Sequence, residues 1–564
     1  MLPELYSHEK ALRLVDHRFA DWVVKQCAMS LSKDQQQMLG KLVRAVSYAT
    51  YLKHTCLDLQ HYQALSDPLL NELLQGITSG QVGALLSMHR LPLITSADGN
   101  RIWLQKYHLF EQQCALRLCA MANMTASQPL PEDMLGGQLT EEQKVAAQMA
   151  WSRGVAVITG GPGTGKTFTV GRIIALLLKQ QADLRIELAA PTGKAGQRMT
   201  ESIRGVLSSH ELPSGMSLEA RTLHSLLGIG HDSPKPYYHR HRRLALDVLI
   251  VDEASMIDLP MMYRLLEALP DHARLILLGD KDQLASVEAG NVLAELYQGQ
   301  ALQDCTVNIT QSQRFDNASD IGRMAAWLNN VAIPMPSFQG EQLRIHVNES
   351  PNPWQPAWLD KAVSACQQLQ KQIPKTSSVV DLLQQQKHFQ LLCALRQGPY
   401  GVEGINRMVE DALGKSHNDW YPGKPLIILQ NDRAKKLFNG DVGVVLPLTT
   451  DNSAIEFGSD NLKACFLMSD NGFRAVNRSQ MPLYETCYAL TVHKSQGSEY
   501  HHVMIVLPEN KEDVISNPVL TRELAYTAVT RAREQVDIYT GKGVLQALAN
   551  RQTVRMSGLA AMLS

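Results

Sequence analysis

No two of the nine cysteines stand at C-x-x-C spacing, and the closest pair, Cys114 and Cys119, fits neither a zinc site nor a dithiol redox motif. That argues against a metal ribbon or a thioredoxin-like centre and leaves reduced, mostly buried thiols. No apolar run is long enough to span a bilayer. The opening MLPELYSHEKALRLVDHRFADWVV also lacks a basic stretch followed by an unbroken apolar segment. These absences predict a cytoplasmic protein without membrane contact. Charge of one sign is lacking too: 54 Lys and Arg stand against 55 Asp and Glu, a formal net charge of -1. Nothing in the total draws a polyanion, so nucleic-acid contact would have to come from a local positive groove. There is no long low-complexity tract, and 45% hydrophobic with 19% charged residues is the composition of a folded chain.

What is present is length enough for about three to five domains. Residues 1–120 read as a helical N-terminal domain, since runs such as EKALRLVDHRFADWVVKQCAM carry apolar residues at intervals of three and four. A linker rich in Pro, Gly and Ser is expected at 121–138. From 139 to 345 short apolar runs alternate with helices: VAVIT, IELAA, LDVLIV, RLILLG and CTVNI. That alternation marks an α/β unit with a mostly parallel sheet. A second α/β unit is expected over 346–564, with strands PLIIL, HVMIVL and VDIYT and a small β insertion at about 441–483.

The strongest motif is Gly160-Gly161-Pro162-Gly163-Thr164-Gly165-Lys166-Thr167, between the VAVIT strand and a helix. Its glycines let backbone N–H groups curve around phosphate oxygens, Lys166 reaches the β and γ phosphates of ATP, and Thr167 ligates Mg2+. Lys166 fills the last glycine position of a dinucleotide fingerprint, which weakens a Rossmann reading. Asp252 and Glu253 end the strand LDVLIV; they suit the magnesium shell and the activation of water, or they cap the next helix. Gln283, after RLILLGD, is placed to sense the γ phosphate, with a Gly-Asp turn as the alternative. Asn510-Lys511-Glu512-Asp513 matches the guanine-recognition pattern, but a whole second α/β unit separates it from the phosphate loop, so it is read as coincidence.

The ordered set GGPGTGKT, AAPTGKAGQRM, RTLHSLLG, VDEAS, GDKDQLASVEAG, QSQRF, ALTVHKSQGSEY and LAYTAVTRARE resembles superfamily 1 helicases from about residue 138 to 545. The segment NDRAKKLFNGD, followed by a β segment and TVHKSQG, narrows the resemblance to RecD-type helicases, the alpha subunit of bacterial exonuclease V (RecBCD). That resemblance implies two tandem RecA-like motor domains and ATP-dependent 5′-to-3′ DNA unwinding. Gln143 would recognise adenine, or else form a capping box with Thr140. Arg314 and Arg531 would converge on the γ phosphate, and Gln496, Gly497 and Glu499 would add nucleotide contacts from the second domain. Thr192, Lys194, Thr222, His224, His493 and Ser495 match regions that touch single-stranded DNA, with helix caps and core polar groups as the alternative. Arg433 would meet phosphates and Phe438 would stack or pack, while Asn439-Gly440 fits a type I′ turn. The run His239-Arg240-His241-Arg242-Arg243 faces DNA, a partner or solvent.

The same resemblance implies work on single-stranded and end-containing duplex DNA in recombinational repair, beside beta and gamma subunits contacted by the N-terminal domain. Nuclease activity is expected in a partner, since no D/E-x-K nuclease domain is found. The alternatives are a stand-alone RecD-related helicase, whose longer N-terminal extension is missing, and a nucleotide-dependent DNA-binding scaffold that switches shape without translocating.

Overall fold

The computed structural model describes every residue except 1–11, 66, 88–90, 126–129, 131–138, 208–217, 231–232, 312–318, 339, 349–355, 433 and 469–471, and leaves the side chains of 64 and 87 aside. Arg314, Arg433 and most of the expected linker thus lie outside the described residues.

The N-terminal region opens with the packed helices Leu14–Cys27 and Lys33–Tyr51, the second started by a capping box in which Ser32 and Gln35 exchange hydrogen bonds. It is not purely helical. Strands β1 (Cys56–Asp58), β2 (Leu93–Thr95) and β3 (Arg101–Leu104) form an antiparallel sheet in the order β1-β3-β2. Strands this short show no alternation for a sequence reading to find. The helix Gln105–Ala122 puts Cys114, Leu118 and Met121 into the core of the first motor unit, so the boundary expected at 120 falls inside a helix that already belongs to that core.

The first motor unit holds β4 (Val155–Gly160), β5 (Ile186–Ala190), β6 (Ala220–Thr222), β7 (Val248–Val251), β8 (Arg274–Gly279) and β9 (Thr306–Ile309) in one parallel sheet, ordered β6-β5-β7-β8-β4-β9. Alternate residues enter opposite cores: Val155, Val157, Leu249 and Leu275 face one, and Ala156, Ile158, Ile250 and Ile276 the other. Burial on both faces is why these strands read as unbroken apolar runs.

The second unit begins earlier than 346. The helix Asp320–Asn329 buries Ile321, Met324 and Trp327 in its core, and β10 (Leu343–Asn348) is its edge strand. An amphipathic helix between two sheets shows the same periodicity whichever sheet it covers, so sequence alone could not assign it. β11 (Phe389–Cys393) follows, and then β12 (Pro425–Ile428), β13 (Val442–Pro447), β14 (Leu462–Leu467), β15 (Phe473–Val476) and β16 (Tyr484–Thr486) form an antiparallel insertion ordered β15-β14-β13-β12-β16. The chain returns through β17 (Ala489–Thr491), β18 (Tyr500–Val506) and β19 (Ala532–Gly541) to complete a parallel sheet ordered β10-β19-β18-β11-β17. PLIIL therefore opens the insertion and is not a motor strand, and the insertion is wider than 441–483. Leu426 and Ile428 enter an insertion core while Ile427 enters the motor core, which gives β12 the apolar run of a parallel strand.

The last segment leaves the second unit: Met556 joins the N-terminal core, and Leu559 and Leu563 join the first motor's core. Among the described residues no helix is long and apolar enough to cross a membrane, no cluster of three or more His, Cys, Asp or Glu side chains is set to hold a metal ion, and the cysteines are free thiols.

Candidate nucleotide cleft

The C-terminal ends of β4, β7 and β8 lie side by side, because these strands pair in parallel register. Ligands of open parallel sheets bind at this edge. Past β4 the chain turns through Gly163 (φ 79°) and Gly165 (φ 78°) into the helix Lys166–Gln180. The positive φ at Gly165 favours glycine there, and a Cβ would in addition press on the Gln143 amide, 2.8 Å away. Lys166 Nζ donates to the carbonyls of Gly160 (2.5 Å) and Gly161 (2.9 Å), and so points into the loop.

Beside it, Asp252 Oδ1 accepts from the Glu253 N–H at 2.8 Å, and Glu253 takes the left-handed conformation (φ 53°) that non-glycine residues seldom adopt. Burial, and then the neighbouring Glu253, push Asp252 up to about 6, against the pull of Lys166 and Arg198. A recessed carboxylate of that kind beside Thr167 suits a divalent cation, whose charge would reverse the shift. The residues thus fit a magnesium-bound triphosphate: the donors around the loop suit phosphate oxygens, and Asp252 with Thr167 would supply oxygen ligands to the ion.

The second unit contributes the opposite wall, from the N-terminal ends of its strands. Arg531, directly before β19, is 3% exposed; its Nη2 donates to Gln283 Oε1 at 2.8 Å and its other donors meet the carbonyls of Ser498 and Thr527. All these acceptors are neutral, which leaves the guanidinium charge facing the cleft. Arg198, on the helix Gly193–Val206, crosses from the first unit to the second: Nη1 donates to the Gly497 carbonyl at 2.7 Å and Nη2 pairs with Glu499 at 2.9 Å. The resulting cleft of about 390 Å3 is lined by Pro162 to Thr167, Asp252, Glu253, Asp280 and Gln283 on one side and Gly497, Glu499 and Arg531 on the other. A cavity of about 450 Å3 elsewhere in the second unit, between Leu369, Phe389 and Tyr488, has no phosphate loop and no carboxylate.

Not every expected residue joins this cleft. Gln143 forms the capping box with Thr140 and turns its amide to the Thr164 carbonyl at 3.2 Å, 1% exposed and away from the open space. Gln496 reaches the Leu284 carbonyl across the domain boundary at 3.5 Å.

On the side expected to meet DNA, the alternative of caps and satisfied core polar groups describes three hydroxyls. Thr192 accepts from Ala195 N, Thr222 accepts from Ser225 N, and the fully buried Ser495 donates to the Val492 carbonyl at 2.7 Å. Ser495 has no surface from which to touch a phosphate. His224 lies at the surface beside Asp258 and Arg264, while burial and then Arg555 lower His493. Lys194 is half-buried and pushed down to about 8 by burial, with Asp441 of the insertion opposing. Phe438 lies against Gly193, where an added Cβ would stand 3.1 Å from its ring. Only Gly440 of the Asn439-Gly440 pair has positive φ (95°), so the turn is not type I′. In the basic run, Arg242 lies over the Tyr237 ring and Arg243 pairs with Asp271.

Residues 143–289 match a family described as an AAA domain, and residues 486–539 one described as a UvrD-like helicase C-terminal domain. Over 487 residues the chain is 38% identical to the RecBCD enzyme subunit RecD of Mycolicibacterium smegmatis, an alignment covering 83% of each protein. The chain belongs to the RecD family. RecBCD enzyme subunit RecD of Haemophilus influenzae is 36% identical over 497 residues, 75% of this chain and 72% of that one. The ATP-dependent RecD2 DNA helicase of Deinococcus radiodurans is 30% identical over 432 residues, 75% of this chain but 52% of that protein. Membership of the RecD family makes the chain an ATP-dependent superfamily 1 helicase. Sequence reasoning missed Arg198, Asp280 and Tyr526. All three stand inside the superfamily 1 motif strings, but their partners lie in the other domain and no local spacing signals such pairs.

Proposed function

We propose that this chain is a 5′-to-3′ DNA translocase acting as the alpha subunit of a RecBCD-type complex, which processes double-strand ends for recombinational repair. The observation that carries the reading is the shared cleft, in which Lys166, Asp252, Glu253 and Gln283 of one motor face Glu499 and Arg531 of the other. Lys166 and the loop N–H groups bind the phosphates of ATP, while Glu253 orients and deprotonates the attacking water. Thr167 and Asp252 would hold Mg2+, which supplies charge neutralisation at the β and γ phosphates. Arg531 offsets the charge that develops during phosphoryl transfer and so ties hydrolysis to the position of the second motor. Lys194, His224, Phe438 and His493 are assigned to the strand; alternate gripping of it by the two motors yields steps.

The resemblance of LFNGD and TVHKSQG to the RecD branch supports the polarity. The names of the relatives, subunits of a RecBCD enzyme, support partner subunits; the N-terminal region as their contact and a nuclease on a partner follow from the family resemblance alone. Strand displacement on matched 5′-tailed and 3′-tailed duplexes, with and without co-purified partners, tests the reading. Unwinding of the 5′-tailed substrate is expected. Preference for the 3′ tail removes the polarity, and ATP turnover without displacement on either substrate favours a scaffold that only switches shape.

A further inference from the structure

The two motors meet through a second contact beside Arg531. Tyr526, on the second motor's helix Arg522–Val529, is 4% exposed and donates its hydroxyl to Asp280 Oδ2 at 3.1 Å. The same oxygen accepts Gln283 Nε2 at 3.0 Å, while Asp280 Oδ1 accepts the Asp282 N–H. With its nitrogen held by Asp280, the Gln283 amide presents its oxygen to Arg531 Nη2, 2.8 Å away. The Tyr526 hydroxyl also lies against the phosphate loop: a Cβ on Gly161 would stand 3.1 Å from it. Tyr526 and Arg531 are five residues apart on one motor, and Asp280 and Gln283 three apart on the other. The two pairs form a two-point clamp, which fixes rotation as well as separation where a single hydrogen bond would leave the arginine free to swing.

We infer that Tyr526 and Asp280 are positioning residues for ATP hydrolysis, holding the Gln283 amide and the Arg531 guanidinium in the register needed when the phosphoryl group transfers. The inference rests on the assignment of Arg531 to the transferring phosphate. Tyr526 touches no reacting atom and acts through Asp280. Buried at the interface, its hydroxyl bonds Asp280 without competition from water, and separating the motors would break that bond and exchange it for one to water.

The test compares Tyr526→Phe, Asp280→Asn, their double variant and Arg531→Ala in the full chain. The readings are ATP turnover at saturating single-stranded DNA, and binding of ADP against ADP with aluminium fluoride, a mimic of the transferring phosphoryl group. Tyr526→Phe is expected to lower kcat about tenfold and weaken the mimic about tenfold, with KM and ADP binding within about twofold of the parent. The double variant is expected to be no worse than the weaker single one, because both break one clamp. An unchanged ratio of mimic to ADP affinity overturns the inference. Multiplying losses in the double variant do the same, as does a parallel fall in ADP binding, which marks a structural role. If Arg531→Ala keeps parent turnover, the assignment of Arg531 fails first; if it loses turnover while Tyr526→Phe does not, only the clamp fails.

Discussion

Glu253 and Asp252 are adjacent acids with opposite demands. Glu253 is held in a left-handed conformation at the cleft, a position whose strain is worth keeping only where geometry matters. Glu253→Gln keeps size and hydrogen-bonding reach but not basicity. ATP binding should persist while hydrolysis falls about a hundredfold, a split that equilibrium binding and steady-state turnover resolve; equal losses would point to folding or ion placement. Asp252 is pushed up to about 6 chiefly by burial, so the folded state without nucleotide holds its proton more tightly than the unfolded chain does. Its favourable contribution is present at low pH and is lost as pH rises from about 4 to about 6. Asp252→Asn, neutral throughout, should therefore melt about 1–3 °C above the parent at pH 7.5 without nucleotide. That gap should close toward pH 4, and hydrolysis should be lost. Calorimetry across pH checks the sign, and a gap that widens on acidification rejects the account. At this scale the loop from Gly160 to Thr167 was legible because one local string carries its geometry. Arg198 was not, because its meaning depends on Glu499, which only the fold brings within 2.9 Å.

Among the elements, the parallel strands of the first motor announced themselves as apolar runs between helices, whereas β12 carried the same signal into a different sheet. Burial on both faces erases the alternation that separates antiparallel from parallel strands. The insertion is anchored beneath β12 by an ion pair that sequence reasoning passed over. Lys424 and Glu410 are each 2% exposed and 2.9 Å apart. Lys424 also donates to the carbonyls of His417 and Asp419, and Glu410 accepts from the Tyr421 hydroxyl. Removing Lys424 takes the buried cation from Glu410 and leaves that carboxylate only the Tyr421 hydroxyl and the exposed His417 ring, 3.0 Å from its other oxygen. Lys424→Met should cost about 3–5 kcal/mol, whereas Lys424→Met with Glu410→Gln should recover much of it. Chemical denaturation of the three variants measures the difference, and equal losses in the single and double variants would show that the pair does not anchor the sheet.

Over the whole molecule the nucleotide cleft belongs to neither motor. One wall is the C-terminal edge of one parallel sheet and the other is the N-terminal edge of the second, joined by Arg198 to Glu499 and by Arg531 to Gln283. Two α/β units could be read from the apolar runs; that both line one nucleotide site came only from the family resemblance, since no periodicity encodes the orientation of one sheet toward another. Arg531 tests that orientation directly, because it sits far along the chain from Lys166 yet lines the same space. If its charge acts as the phosphoryl group transfers, Arg531→Ala should leave ATP affinity nearly unchanged and lower DNA-stimulated hydrolysis about a thousandfold. Arg531→Lys separates charge from shape: lysine keeps the charge but has one ammonium in place of the planar fork, which here spans Gln283, Ser498 and Thr527 at once. Lysine should therefore fail to restore stimulated turnover. Parent-like hydrolysis in both variants at saturating ATP and DNA would reduce Arg531 to an interdomain strut, and closure of the cleft would then have no chemical step through which to drive movement along DNA.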